Sequence, residues 1–181
     1  MARLYVGIDL GSTTVKAVVL NGRVLSSAIR PTGSNPKKAG EAVLEQVLEK
    51  APGPVGKVVA TGYGRVSFSA DEIISEITAH AKGSHLLFPD ARTVIDIGGQ
   101  DSKIIILRSG VVVDFGMNAV CAAGTGSFLE HQAQRLGVPI EDFGGIACQS
   151  SSPVRIAGKC AVFAESDMVH KQQVGYSLPD I

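Results

Sequence analysis

Residues 6–16 read VGIDLGSTTVK, and residues 95–103 read IDIGGQDSK. In each stretch an apolar run enters an aspartate, then a glycine-rich polar turn, then a lysine. Placing Asp9 on Asp96 also places Gly11 on Gly98 and Lys16 on Lys103, about 87 residues further along. A device repeated at that distance calls for two related strand–turn–strand units in one chain. The 181 residues suffice for one compact domain or two small lobes.

The surrounding pattern repeats as well. Leu4–Asp9, Val15–Leu20 and Val24–Ile29 read as strands rich in Val, Ile and Leu, with Asn21-Gly22 as a two-residue hairpin in which both residues take positive φ. Pro36–Lys50 reads as a helix: proline suits its first turn, Ala39, Val43, Leu44, Val47 and Leu48 form a stripe, and Pro52-Gly53-Pro54 ends it. Lys57–Thr61 is a short strand running into TGYGR, read as a glycine turn with an exposed arginine. A second helix is predicted from Ser69, which has capping-box spacing to Glu72, with Ile73, Ile74, Ile77 and Ala81 on one face.

The second half starts alike, with strands at Thr93–Ile97, Lys103–Leu107 and Val111–Phe115, a Ser109-Gly110 turn, and a helix from about Ala123 to Leu136. Residues 139–181 then read as a Gly/Ser/Cys-rich loop and a helix over Ala161–Lys171, without a convincing final β-α pair. The expected organisation is therefore a first lobe at 1–91 and a second, partial lobe at 92–181, either because the chain is a piece of a longer protein or because another segment completes it.

Strand–turn–strand with Asp-x-Gly at the bend has a chemical use. Glycine lets backbone N–H groups approach an anion and line a concave turn. In the first turn Gly11 is joined by the hydroxyls of Ser12, Thr13 and Thr14, and Lys16 brings positive charge near phosphate. The second turn offers Gly98, Gly99, Gln100 and Asp101. Asp9 and Asp96 would repel bare phosphate, but they suit a Mg²⁺ ion held with its waters between carboxylate and phosphate. Asp96 or Gln100 can then orient or activate an attacking water. A capped turn is the plain alternative for either copy alone, and Lys16 and Lys103 read equally well as solvated strand residues. No G-x-x-x-x-G-K-[ST] loop occurs.

Of the three cysteines, Cys121 precedes the helix expected near Ala123 and Cys160 opens the next one, while Cys148 stands outside both as a bystander. By spacing they read first as small buried apolar residues. A thiolate at a helix start would also sit at the positive end of the helix dipole, so anionic metal ligation stays open.

Together, GIDLGSTTVK, ATGYGR, VIDIGGQDSK, CAAGTGSFLE and CAVFAES resemble the activators of 2-hydroxyacyl-CoA dehydratases, a family that includes the ATPase subunits of benzoyl-CoA reductases, within the actin/sugar kinase/Hsp70 superfamily. The resemblance implies an α/β, ribonuclease H-like actin/Hsp70-type ATPase fold with two duplicated lobes, the second incomplete at its C-terminus. It implies ATP or ADP bound with Mg²⁺, with Gly124, Thr125 and Gly126 joining the two turns at the nucleotide. It further implies one [4Fe–4S] cluster per homodimer, held by Cys121 and Cys160 of both subunits, a ferredoxin or flavodoxin donor, and a dehydratase or reductase component as electron acceptor. Glu165 is left between nucleotide, Mg²⁺ and packing. Two rivals remain: a sugar-type small-molecule kinase on the same scaffold, and a non-catalytic nucleotide-binding fragment.

Composition agrees with a globular chain, at 45% apolar and 19% charged residues. Zero net charge and the absence of Trp argue against a nucleic-acid or membrane-surface partner. No signal peptide is read at the N-terminus, and no run approaches the roughly 18 apolar residues of a membrane span. A cytoplasmic location is expected.

Overall fold

A computed structural model describes residues 3–51, 53–118, 124–158 and 160–181. Strands β1 (Leu4–Leu10), β2 (Thr14–Leu20), β3 (Val24–Pro31), β4 (Val55–Thr61) and β5 (Glu72–Ile73) form one sheet in the order β3-β2-β1-β4-β5. β1 pairs antiparallel with β2 and parallel with β4. A second sheet has the order β6-β7-β8, from Thr93–Ile97, Ser102–Arg108 and Val111–Met117. The helices are α1 (Pro36–Lys50), α2 (Glu76–Leu87), α3 (Gly126–Leu136), α4 (Ile140–Ala147) and α5 (Ala161–Gln173).

The chain packs as two compact units. The first comprises Met1–Asp96 and Ile104–Gly116; the second comprises Ile97–Lys103 and Met117–Ile181. The core of the first follows from strand alternation. Leu4, Val6, Ile8 and Leu10 of β1 and Val15, Ala17 and Val19 of β2 point to one face, where Val43 and Val47 of α1 cover them. Each fully buried aliphatic side chain contributes about 1.5–3 kcal/mol. Helix α1 has the predicted bounds, and Asn35 caps it by accepting a hydrogen bond from the Lys38 N–H at 3.0 Å. A smaller cluster gathers Ala81 of α2 with Ile105 and Leu107 of β7.

Four local expectations fail, each for a physical reason. The β2–β3 connection has three residues, 21–23, with a register shift at Val19/Leu20, and Gly22 alone takes positive φ there. The bulge supplies the bend that a two-residue turn would have made. Helix α2 begins at Glu76, not near Ser69. Residues 72–73 are instead drawn into the sheet beside Val59 and Ala60, and the Ile74 N–H donates to the Ala60 carbonyl at 2.9 Å. The cap is Ser75, whose Oγ accepts from the Thr78 N–H at 3.1 Å. Helix α3 starts at Gly126 rather than Ala123, with Thr125 as N-cap after Gly124 at φ +81°. Residues 140–147, expected as loop, form α4.

In the second unit Asp180 fastens a loop. Its carboxylate accepts hydrogen bonds from the hydroxyls of Ser177 and Ser150 (both 2.7 Å) and from the N–H groups of Ser152 (2.9 Å) and Ser151 (3.2 Å). These bonds, Ser177 first, hold its pKa down from 3.8 to about 2. A depressed acid stabilises the fold above its unfolded pKa and loses that contribution as pH falls through the folded value. Amides 151 and 152 should therefore lose hydrogen-exchange protection as pH drops from about 4 towards about 2. In Asp180→Ala that pH dependence should be absent, with protection already low at neutral pH.

Candidate functional site

The first turn joins β1 to β2 inside the first unit. Asp9 and Lys16 are register partners, and Lys16 Nζ donates to Asp9 Oδ2 at 3.0 Å. Their side chains are 33% and 42% exposed, so the lysine has room to leave the carboxylate for an incoming anion. Gly11 is required here: a Cβ would lie 2.7 Å from the Thr14 carbonyl oxygen. Ser12 is exposed, and Thr13 and Thr14 are half-buried.

Three groups that sequence reasoning missed or undervalued support this turn. Thr32, buried, donates through Oγ1 to the Gly11 carbonyl at 2.7 Å and through its N–H to the Thr13 carbonyl at 2.9 Å. It lies 21 residues from Gly11, beyond any local signal. Gly62, at φ +88°, passes so close to β1 that a Cβ would fall 2.6 Å from the Leu10 carbonyl carbon. Arg65, read as exposed, is half-buried and donates from Nη1 to the Gly62 carbonyl at 2.8 Å. Thr61 stands beside Asp9 in register, and its hydroxyl is buried with no protein partner.

The second turn is built around α3. The Gly98 N–H donates to the Asp101 carbonyl at 2.8 Å, which closes the bend. The first turn of α3 then docks on it: the Gly126 N–H donates to the Gly98 carbonyl at 2.9 Å, and the Ser127 N–H to the Gly99 carbonyl at 3.1 Å. Gln100 Nε2 donates to Ser127 Oγ at 3.4 Å. The structure thus brings Gly98, Gly99, Gln100 and Asp101 together with Gly124, a fully buried Thr125, and Gly126. Two of the helix's leading N–H groups are spent on this contact. A Cβ on Gly126 would lie 3.3 Å from the Gly98 carbonyl oxygen, so the glycine allows the close approach.

Lys103 is not a solvated residue. It is 5% exposed, and its Nζ donates to Asp101 Oδ1 at 2.6 Å. Strand alternation could have shown this, since Lys103 shares a face with Ile105 and Leu107, the buried residues of β7. Asp96, on β6 in the first unit, has His80 Nε2 of α2 at 3.7 Å from its Oδ2.

Cys160 is the N-cap of α5, as expected, and is half-buried and free of disulfide. Its carbonyl accepts the Ala164 N–H at 2.9 Å. Cys148, exposed, ends α4. Cys121 lies outside the described residues. Among the described residues no group of three His, Cys, Asp or Glu side chains forms a metal centre. Glu165 pairs with Arg135 Nη1 at 2.8 Å. On α5, Ala164 and Met168 are buried and Phe163 is exposed. No helix among the described residues is long and apolar enough to cross a membrane.

The α/β fold thus carries two glycine-rich turns at strand ends, the first lined by hydroxyls, an arrangement suited to holding an anion. Residues 6–181 match the BadF/BadG/BcrA/BcrD ATPase family, and the chain belongs to it. It is 40% identical over 186 residues to the 2-hydroxyisocaproyl-CoA dehydratase activator of Clostridioides difficile, an alignment covering 97% of this chain and 68% of that protein. The crystal structure of component A of (R)-2-hydroxyglutaryl-CoA dehydratase from Acidaminococcus fermentans superposes with a TM-score of 0.89 at 35% identity, over 98% of this chain and 71% of that one. The activator of 2-hydroxyisocaproyl-CoA dehydratase from Clostridium difficile, solved with bound ADPNP, gives 0.87 at 38% identity, over 98% and 69%. Membership in an ATPase family disfavours the sugar-kinase reading.

Proposed function

We propose that this chain is a reductive activator: an ATPase that drives a low-potential electron from a shared [4Fe–4S] cluster to a dehydratase or benzoyl-CoA reductase-type component. The observation that carries the redox half is Cys160, a free thiol at the start of α5, in a chain whose relatives activate dehydratases.

In this reading the first turn takes phosphate oxygens through Gly11, Ser12, Thr13, Thr14 and Lys16. The second does so through Gly98, Gly99, Gln100 and Asp101, backed by Gly124, Thr125 and Gly126. Asp9 would hold Mg²⁺ through water, and Asp96 or Gln100 would orient the attacking water. Each residue has a physical reason. Lys16 exchanges Asp9 for phosphate. Lys103 cannot, because it is buried on Asp101; it keeps the second turn in shape instead. Thr32 and the Gly62 turn keep the first rigid.

Donor chemistry fits a cluster, because a [4Fe–4S] centre takes four thiolates and two chains supply Cys121 and Cys160 twice. The start of α5 also offers the positive end of a helix dipole to an anionic group. When bound, the cluster supplies one-electron transfer at low potential. The chain is read as a cytoplasmic homodimer that accepts electrons from ferredoxin or flavodoxin.

Anaerobic purification and reconstitution should give about four iron and four sulfide per dimer. Protein that retains no iron after reconstitution, yet hydrolyses ATP, would refute the electron-transfer role.

A further inference from the structure

Within the second unit, one run of bonded contacts joins the second turn to the start of α5. At one end the Gly98 and Gly99 carbonyls hold the first N–H groups of α3, and Gln100 reaches Ser127. An α-helix of 11 residues is a stiff rod. At its other end Arg135, in its last turn, holds Glu165 at 2.8 Å. Glu165 lies on α5, five positions after Cys160, whose carbonyl begins that helix's hydrogen-bond ladder.

We propose that the Arg135–Glu165 ion pair is a positioning link through which the state of the second turn reaches Cys160. The pair is poorly placed for a mainly stabilising role. Both side chains are nearly half exposed, at 47% and 44%, and exposed pairs add little to stability. Geometrically it connects the far end of the turn-anchored helix to the helix that carries the thiol. Displacement of the Gly98–Gly99 carbonyls by an anion would move the start of α3, and a rigid helix delivers that movement to Arg135. The glutamate partner then shifts α5 at the turn beside Cys160. Glu165 is thereby given a part that needs no contact with nucleotide or Mg²⁺.

The inference rests on nucleotide binding at the second turn, but not on cluster ligation, so it is testable in metal-free, reduced protein. The readout is the rate at which iodoacetamide alkylates Cys160, followed on its own peptide by mass spectrometry so that Cys121 and Cys148 do not interfere. Rates are compared with and without Mg²⁺ and a non-hydrolysable ATP analogue, whose affinity is measured in parallel.

In the wild type, nucleotide should change the Cys160 rate about threefold, the scale of coupling that one exposed ion pair can carry. In Arg135→Gln and in Glu165→Gln the nucleotide-dependent change should vanish, while analogue affinity stays within about threefold of wild type. The charge exchange R135E/E165R should restore the change, even where either single variant loosens α5. A merely structural role would alter the Cys160 rate equally with and without nucleotide and leave their ratio intact. That result overturns the link and leaves the proposed function standing, as does a wild-type rate that nucleotide does not alter. A wild-type chain that fails to bind the analogue overturns both.

Discussion

Gly62→Ala should lower the melting temperature by roughly 4–24 °C and weaken the nucleotide binding proposed for the first turn. Two costs add. At φ +88° and ψ 175° the backbone lies in a region that essentially only glycine enters, at about 1–3 kcal/mol for an L residue. The new methyl would also lie 2.6 and 2.7 Å from the carbonyl carbon and nitrogen of Leu10, backbone atoms of a strand end that cannot rotate away. Overpacking of that kind costs about 1–3 kcal/mol. Since 1 kcal/mol shifts a chain of this size by about 2–4 °C, the sum gives the stated drop. Leu10 follows Asp9 directly, so relief of the clash displaces the carboxylate that faces Lys16. Gly22→Ala separates the two costs: it shares positive φ, at +70°, but its Cβ meets nothing within 4 Å. It should lose only about 1 kcal/mol. Equal melting temperatures for the two variants would show that Gly62 is not wedged against β1.

The same contrast shows what the sequence could and could not disclose. Helix α1 was readable to the residue because its signals are local: Pro36 in the first turn, an apolar stripe, and the proline-glycine stop. The turn at Ser109-Gly110 was readable for the same reason, with both residues at positive φ. The closing of the first turn was not, because Thr32 reaches Gly11 and Gly62 reaches Leu10 only after the sheet has formed.

The Ser69 cap failed through competition. Glu72 had a sheet edge to join and Lys57 of β4 to pair with, and Ser75 was available as the next cap. Helix α4 was hidden by Gly144-Gly145, although Ile140, Phe143 and Ile146 keep helical spacing. The union of Gly98 with Gly126 is a tertiary contact that no periodicity announces. The quoted motifs nonetheless marked both partners, so the members of the candidate site were legible in sequence while their arrangement was not.

The proposed function assigns hydrolysis and cluster ligation to different residues, and Asp9→Ala tests that division. Turnover of ATP should fall by about 10²–10³-fold, the usual loss when electrostatic stabilisation of developing charge is removed, here that of the Mg²⁺ that Asp9 is proposed to hold. Affinity for nucleotide measured without Mg²⁺ should stay within a few-fold of wild type or improve. Removing the carboxylate frees Lys16 from its 3.0 Å partner and removes a negative charge from the anion site. With Mg²⁺ present the variant should lose the gain that the metal gives the wild type. Folding should survive: the Asp9–Lys16 pair is partly exposed, and such pairs contribute about 0–1 kcal/mol. On the proposed reading iron content should remain at about four per dimer, because Asp9 is not among the proposed cluster ligands Cys121 and Cys160. Asp9→Asn keeps the shape without the charge and should match alanine in turnover if charge is what matters. Turnover close to wild type in both variants would remove Asp9 from the mechanism. Loss of iron together with turnover, at an unchanged melting temperature, would mean that the phosphate turn and the thiols act as one site, against the proposal that hydrolysis and cluster ligation use different residues.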